Sequence, residues 1–249
     1  MKVKGLKTRV LSQMRKKQLL FGLIGAAALL VIAASIGLAY FVGVGGNSPA
    51  ALTVRPTASP SSTTSASNSD PAGDWKVSSG SQAGYRVREQ LAGLPAPSDA
   101  VGRTSKISGT ISVSGSPAQY AITSGSFTVD VSTLTSDRSM RDQRIHNMGL
   151  ESSRYPTSTF VLINPISLPS TAGSGQMFQV SATGNLTIHG LTKPVTIPLT
   201  AQVAGSRVQV SGSVTFPWSD FGMEAPNVGG FVSVQDHVTI EFALNLVKA

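Results

Sequence analysis

Six stretches between residues 107 and 246 put an apolar side chain at every second position, and this constrains the fold more than anything else in the chain. In FTVDV, Phe127, Val129 and Val131 share a face. In VQVSGSVTFPW, Val208, Val210, Val214, Phe216 and Trp218 do so, and in VTIEFALNL, Val238, Ile240, Phe242, Leu244 and Leu246. KISGTISV, NLTIHG and PVTIPL add Ile107, Ile111 and Val113, then Leu186 and Ile188, then Val195, Ile197 and Leu199. Successive side chains of a strand point to opposite faces, so this pattern predicts antiparallel strands with one buried side. Gly and Ser between the runs mark turns. About eight strands in a domain of about 175 residues fit a sandwich or a closed barrel, and closure is favoured because it removes exposed edges.

Only residues 74–249 show this pattern. Residues 45–73 are rich in Ser, Thr, Pro, Ala and Gly, have little to bury, and read as a flexible linker. Residues 19–44, LLFGLIGAAALLVIAASIGLAYFVGV, contain no charge. A bilayer core is crossed by about 20 apolar residues in a helix, so this stretch reads as a transmembrane anchor. A secretory signal peptide is the competing reading, but its apolar region ordinarily runs to about 7–15 residues. Residues 1–18 contain Lys2, Lys4, Lys7, Arg9, Arg15, Lys16 and Lys17, and no acidic residue precedes Asp70. Basic residues on one flank of a span keep that flank cytoplasmic. The expectation is a single-pass membrane protein, with the β-domain on the extracytoplasmic side.

The same distribution excludes a nucleic-acid partner. The net charge is +8, but without those seven residues 13 basic side chains face 12 acidic ones. No basic domain remains to hold a phosphate backbone. The chain has no cysteine, which rules out disulfides, thiolate nucleophiles and thiolate metal ligands.

One stretch breaks the alternation. SDRSMRDQRIHNMGLESSRYPTSTF, residues 136–160, holds Asp137, Arg138, Arg141, Asp142, Arg144, His146, Glu151 and Arg154. It predicts short helical turns with Ser136 or Asp137 as N-cap, ended by Pro156, before a strand resumes at STFVLI. The sequence lacks G-x-S-x-G, H-E-x-x-H, a P-loop and a dinucleotide fingerprint. His146, His189 and His237 lack ligand spacing, and no metal is expected. The charged stretch therefore reads as a polar connector held by charge-assisted hydrogen bonds, and the protein as a non-enzyme. A hydrolase using His146 with Asp142 or Glu151 is the enzymatic alternative.

The aromatic residues Tyr85, Phe127, Phe160, Phe178, Phe216, Trp218, Phe231 and Phe242 mostly follow the buried parity. They fit either a packed core or the lining of a cavity, since a barrel of about eight strands is filled by side chains or holds one small ligand. Val129 falls on the same side as Phe127.

Several ordered motifs resemble the YceI-like, or polyisoprenoid-binding, family of lipocalin-like barrels. They are DWKVSSGSQAGYRVRE, GTISV, VDVSTLTSDRSMRDQRIHNMGLESSRYPTSTFVL, GNLTIHGLTKPVTIPL, WSDFGM and VQDHVTIEF, over residues 74–246. The resemblance implies an eight-stranded antiparallel barrel with a short helical excursion. It also implies an amphipathic isoprenoid-type lipid as ligand, with no other cofactor. Carried over by motif, Arg141, Asp142, Tyr155, Pro156 and Phe160 would shape the connector and wall. Phe127, Val129, Leu162, Phe216, Trp218 and Phe231 would line the cavity, with Tyr85 beside them. The sequence departs from the family at YRVRE, where many members have a Phe-x-(Val/Ile)-x-His pattern, and in the insertion QLAGLPAPSDAVGRTSK. A filled barrel acting in envelope stress or adhesion remains the non-binding alternative.

Overall fold

The computed structural model describes residues 48–54, 69–92, 97–117, 119–228 and 232–249. The basic segment 1–18, the predicted span 19–44 and Phe231 lie outside the described residues. Among the described residues no helix is long and apolar enough to cross a membrane.

The alternating stretches form strands. In chain order these are β1 (Gly73–Val77), β2 (Gln82–Leu91), β3 (Ser98–Thr104), β4 (Ile107–Ser116) and β5 (Gln119–Asp130). A 3₁₀ turn (Val131–Thr133) and helix α1 (Ser139–Asn147) follow, then β6 (Thr157–Leu162), β7 (Ile166–Ser167) and β8 (Met177–Ile188). β9 (Leu191–Ala204), β10 (Arg207–Pro217), a second 3₁₀ turn (Trp218–Phe221), β11 (Asn227–Val228) and β12 (Val232–Lys248) complete the order.

Eight strands, β1-β4-β5-β6-β8-β9-β10-β12, close into an antiparallel ring when β12 meets β1. On its edge away from β10, β12 serves two partners along its length. Its residues 246–248 pair with β1, and its residues 232–243 pair with β2, across a register shift between Val234 and Val238. β3 lies on the far edge of β2 and is tied to the connector where Arg103 and Thr135 exchange two backbone hydrogen bonds of 2.9 and 3.0 Å.

Trp75 is fully buried at one end, its indole N–H donating to Pro71 O at 2.8 Å, among Val113, Tyr120, Val203, Val208 and Leu246. Removing a side chain of that size from water contributes at most about 4–6 kcal/mol. A second buried cluster gathers Tyr85, Val87, Leu186, Ile188, Phe216, Trp218, Phe221 and Met223 around Ile145 of α1.

Aromatic rings lie against glycines of neighbouring strands. A Cβ on Gly102 would sit 2.3 Å from the Tyr85 ring, on Gly184 2.4 Å from Phe160, and on Gly212 2.8 Å from Phe242. The missing side chains let these rings lie back on the wall.

Two local expectations are corrected. The predicted cap at Ser136 or Asp137 is replaced by Arg138, which makes no capping side-chain bond. Ser136 instead binds Asp142 Oδ1 through its N–H (2.9 Å) and its hydroxyl (2.6 Å), and Asp137 pairs with Arg141. The helix ends at Asn147, well before Pro156, and Gly149 turns the chain at φ +69°.

The expectation of a flexible linker over 45–73 is also revised where that stretch is described. Residues 48–54 run along the outer wall. Ser48 Oγ donates to Asp99 O (2.7 Å), and the Arg86 and Arg103 guanidiniums donate to Pro49 O and Ala50 O. Val54 N–H donates to Ser211 Oγ at 3.0 Å. Further on, Ser69 N–H donates to Gly173 O at 2.8 Å, and Pro71 is fully buried. Composition misses this docking because it runs largely through backbone groups, which any sequence supplies.

Candidate functional site

The ring encloses an apolar cavity of about 220 Å³. Its lining takes residues from both buried clusters of the barrel. Tyr85, Phe127, Val129, Phe160, Leu162, Phe216 and Trp218, all expected at a cavity from the sequence, line it. Pro71 and Trp75 lie at one end, and Trp218, Met223, Ile145 and Leu150 at the other.

Among the described residues, Glu241 is the one charged side chain on the lining. It is 3% exposed and its carboxylate belongs to the outer wall. It accepts from Arg103 at 2.9 Å, from Arg86 at 3.4 Å and from Leu52 N–H at 3.4 Å. Asp99 joins this strip. Burial works against its charged form, but hydrogen bonds from Arg88 and Arg86 outweigh that and hold its carboxyl below the usual range.

The connector forms part of the cavity wall. Ile145 and Leu150 reach the lining, and sequence reasoning missed both because polar neighbours surround them. Arg141 fastens α1 to the barrel, donating to Glu89 Oε1 at 2.5 Å, to Asp137, and to Ser136 Oγ at 3.3 Å. Burial lowers the Arg141 pKa, yet the facing Glu89 and Asp137 overcome it and the net shift is upward. Glu89 was not singled out from sequence, although it shares the inward parity of Tyr85 and Val87. A charge on the apolar side of a strand was the available signal.

At the exit of the connector, the Tyr155 ring meets His189 edge-on with centroids 4.5 Å apart, and it leaves no room for a side chain on Gly190. Pro156 O accepts from Val131 N–H at 2.8 Å. The pairing of His146 with Asp142 or Glu151, which the hydrolase alternative required, is not formed. His146 Nδ1 lies 2.6 Å from Ser152 Oγ, and Ser152 is fully buried. Asp142 is held by Ser136, and Glu151 lies 3.5 Å from His189. No group of three His, Asp or Glu able to hold a metal occurs among the described residues.

A family model described as the YceI-like domain matches residues 75–246. The chain belongs to the YceI-like family. This YceI-like chain is 30% identical over 144 residues to a UPF0312 protein of Vibrio cholerae, covering 55% of this chain and 71% of that protein. Among solved structures, a polyisoprenoid-binding domain from Saccharophagus degradans superposes with a TM-score of 0.52 at 16% identity, over 72% of this chain and 99% of that one. Burkholderia cenocepacia BcnA gives a TM-score of 0.47 at 25% identity, over 66% and 95%. The Saccharophagus likeness establishes the lipocalin-like barrel fold for this YceI-like domain.

Proposed function

We propose that the barrel binds an amphipathic lipid with an isoprenoid-type chain and holds or transfers it. The observation behind this reading is the cavity, lined almost wholly by apolar side chains from both buried clusters, with its charged wall residue turned to the outside. An apolar chain entering it leaves water, and each buried methylene contributes about 0.8 kcal/mol. The Saccharophagus relative, named for polyisoprenoid binding, supports the same choice of ligand. In this reading the segment 19–44 anchors the chain in the cell membrane, with the barrel on the extracytoplasmic side, and the protein is a binding protein without catalytic activity.

The test is native mass spectrometry of the compact unit Ser48–Ala249 purified from its host envelope, before and after organic extraction. An extractable adduct of lipid mass is expected. A bare mass, with no uptake of added polyprenyl or fatty chains, refutes the reading.

A further inference from the structure

The cavity offers a ligand one polar contact, and the surroundings of that contact select its chemistry. Among the described residues, five side chains hold a buried N or O atom without a hydrogen-bond partner: Tyr85, Arg103, His189, Gln202 and Gln209. Of these, only Tyr85 lines the cavity. It is 7% exposed, and its ring lies against Gly102. The other polar lining groups are engaged or face elsewhere. Ser158 Oγ donates to Thr187 O at 2.9 Å, and Glu241 is committed to Arg86 and Arg103. A buried hydroxyl without an acceptor is destabilising, and a bound acceptor relieves it.

The charges whose fields act on this hydroxyl are Arg141, Asp142, Glu89 and Asp137. One cation thus faces three carboxylates, and that cation already donates to Glu89 and Asp137. A phosphate or carboxylate entering here would meet an excess of negative charge in a poorly solvated space. An uncharged oxygen would not. Burial, with the carboxylates, pushes the Tyr85 pKa upward despite Arg141, so the hydroxyl keeps its proton for donation.

We propose that the Tyr85 hydroxyl is the head-group contact of the cavity, donating a hydrogen bond to an uncharged oxygen, such as a carbonyl, on an isoprenoid-type ligand. This rests on the reading that the cavity takes a lipid, and it adds that uncharged heads are selected over anionic ones.

Three probes with tetraprenyl tails separate the two ideas: geranylgeranylacetone, the corresponding oxygen-free hydrocarbon, and geranylgeranyl diphosphate. Binding to the delipidated full chain in micelles is followed through Trp75 and Trp218, the two tryptophans of the protein, both on the lining. The ketone should bind roughly five- to tenfold tighter than the hydrocarbon, and the diphosphate no tighter than the hydrocarbon. Tyr85→Phe should abolish the preference for the ketone and keep the hydrocarbon affinity, which also shows that the variant folds. Equal binding of ketone and hydrocarbon by the wild-type chain, or a Tyr85→Phe variant that retains the preference, overturns this inference alone. Tightest binding by the diphosphate overturns it too. Failure of all three probes overturns the lipid reading along with it.

Discussion

Arg141→Ala isolates the bond that fastens the connector to the barrel. Glu89 is 5% exposed, and the Arg141 side chain 13%. Removing one member of a buried pair leaves the other charged and unsolvated, at a cost of about 3–5 kcal/mol. The second pairing, to Asp137, adds little, because that carboxylate is 62% exposed and such pairs contribute about 0–1 kcal/mol. For a domain of this size each kcal/mol shifts the melting temperature by about 2–4 °C, so a fall of about 6–20 °C is expected by circular dichroism. The double variant Glu89→Leu/Arg141→Met, which keeps volume and removes both charges, should recover most of that loss. A fall below about 3 °C for Arg141→Ala refutes the idea that the pair is the fastening. So does a double variant no more stable than the single one.

Other perturbations probe other parts of the barrel. Ala182→Trp, at a 4% exposed position on the lining, should eliminate the lipid adduct in mass spectrometry while preserving the unfolding midpoint; a persistent adduct places the ligand elsewhere. Gly190→Ala should cost about 1–3 kcal/mol in urea unfolding, since φ is +75° and the new Cβ would lie 2.8 Å from the Tyr155 ring. The folded-state pKa of Asp99 is depressed, so its contribution to stability is present above about pH 4 and lost as pH falls through the folded-state value. Asp99→Asn should therefore be less stable than wild type at neutral pH, and the difference should shrink on acidification below pH 4; a pH-independent difference contradicts this.

The inward face of β12 was legible from alternation alone, because a strand with one buried side leaves its period in the sequence. Val238, Ile240, Phe242, Leu244 and Leu246 all line the cavity, as their spacing required. The openness of the cavity was less legible. Whether Tyr85, Phe160 and Phe242 fill the interior or lie back depends on their cross-strand neighbours, and register brings Gly102 opposite Tyr85, Gly212 opposite Phe242 and Gly184 diagonal to Phe160. The fastening of the connector was hidden for a similar reason: Glu89 and Arg141 lie 52 residues apart, and although the inward parity of Glu89 asks for a partner, nothing local names Arg141 as that partner. The docked course of residues 48–54 had no signature, because its acceptor carbonyls and donor amides occur in any chain.

The ring closes between strands from opposite ends of the domain, with Trp75 opposite Lys248. During synthesis, β1 must wait until residue 248 has emerged before this seam can form. Every earlier intermediate is an open sheet with an unpaired edge and an exposed apolar face. Because closure joins such distant residues, it should be a late step of folding, on the millisecond-to-second timescale of non-local β topologies. A stop at Leu244 would remove all three β12 residues that pair with β1, leaving an open sheet prone to association in place of a slightly shorter barrel.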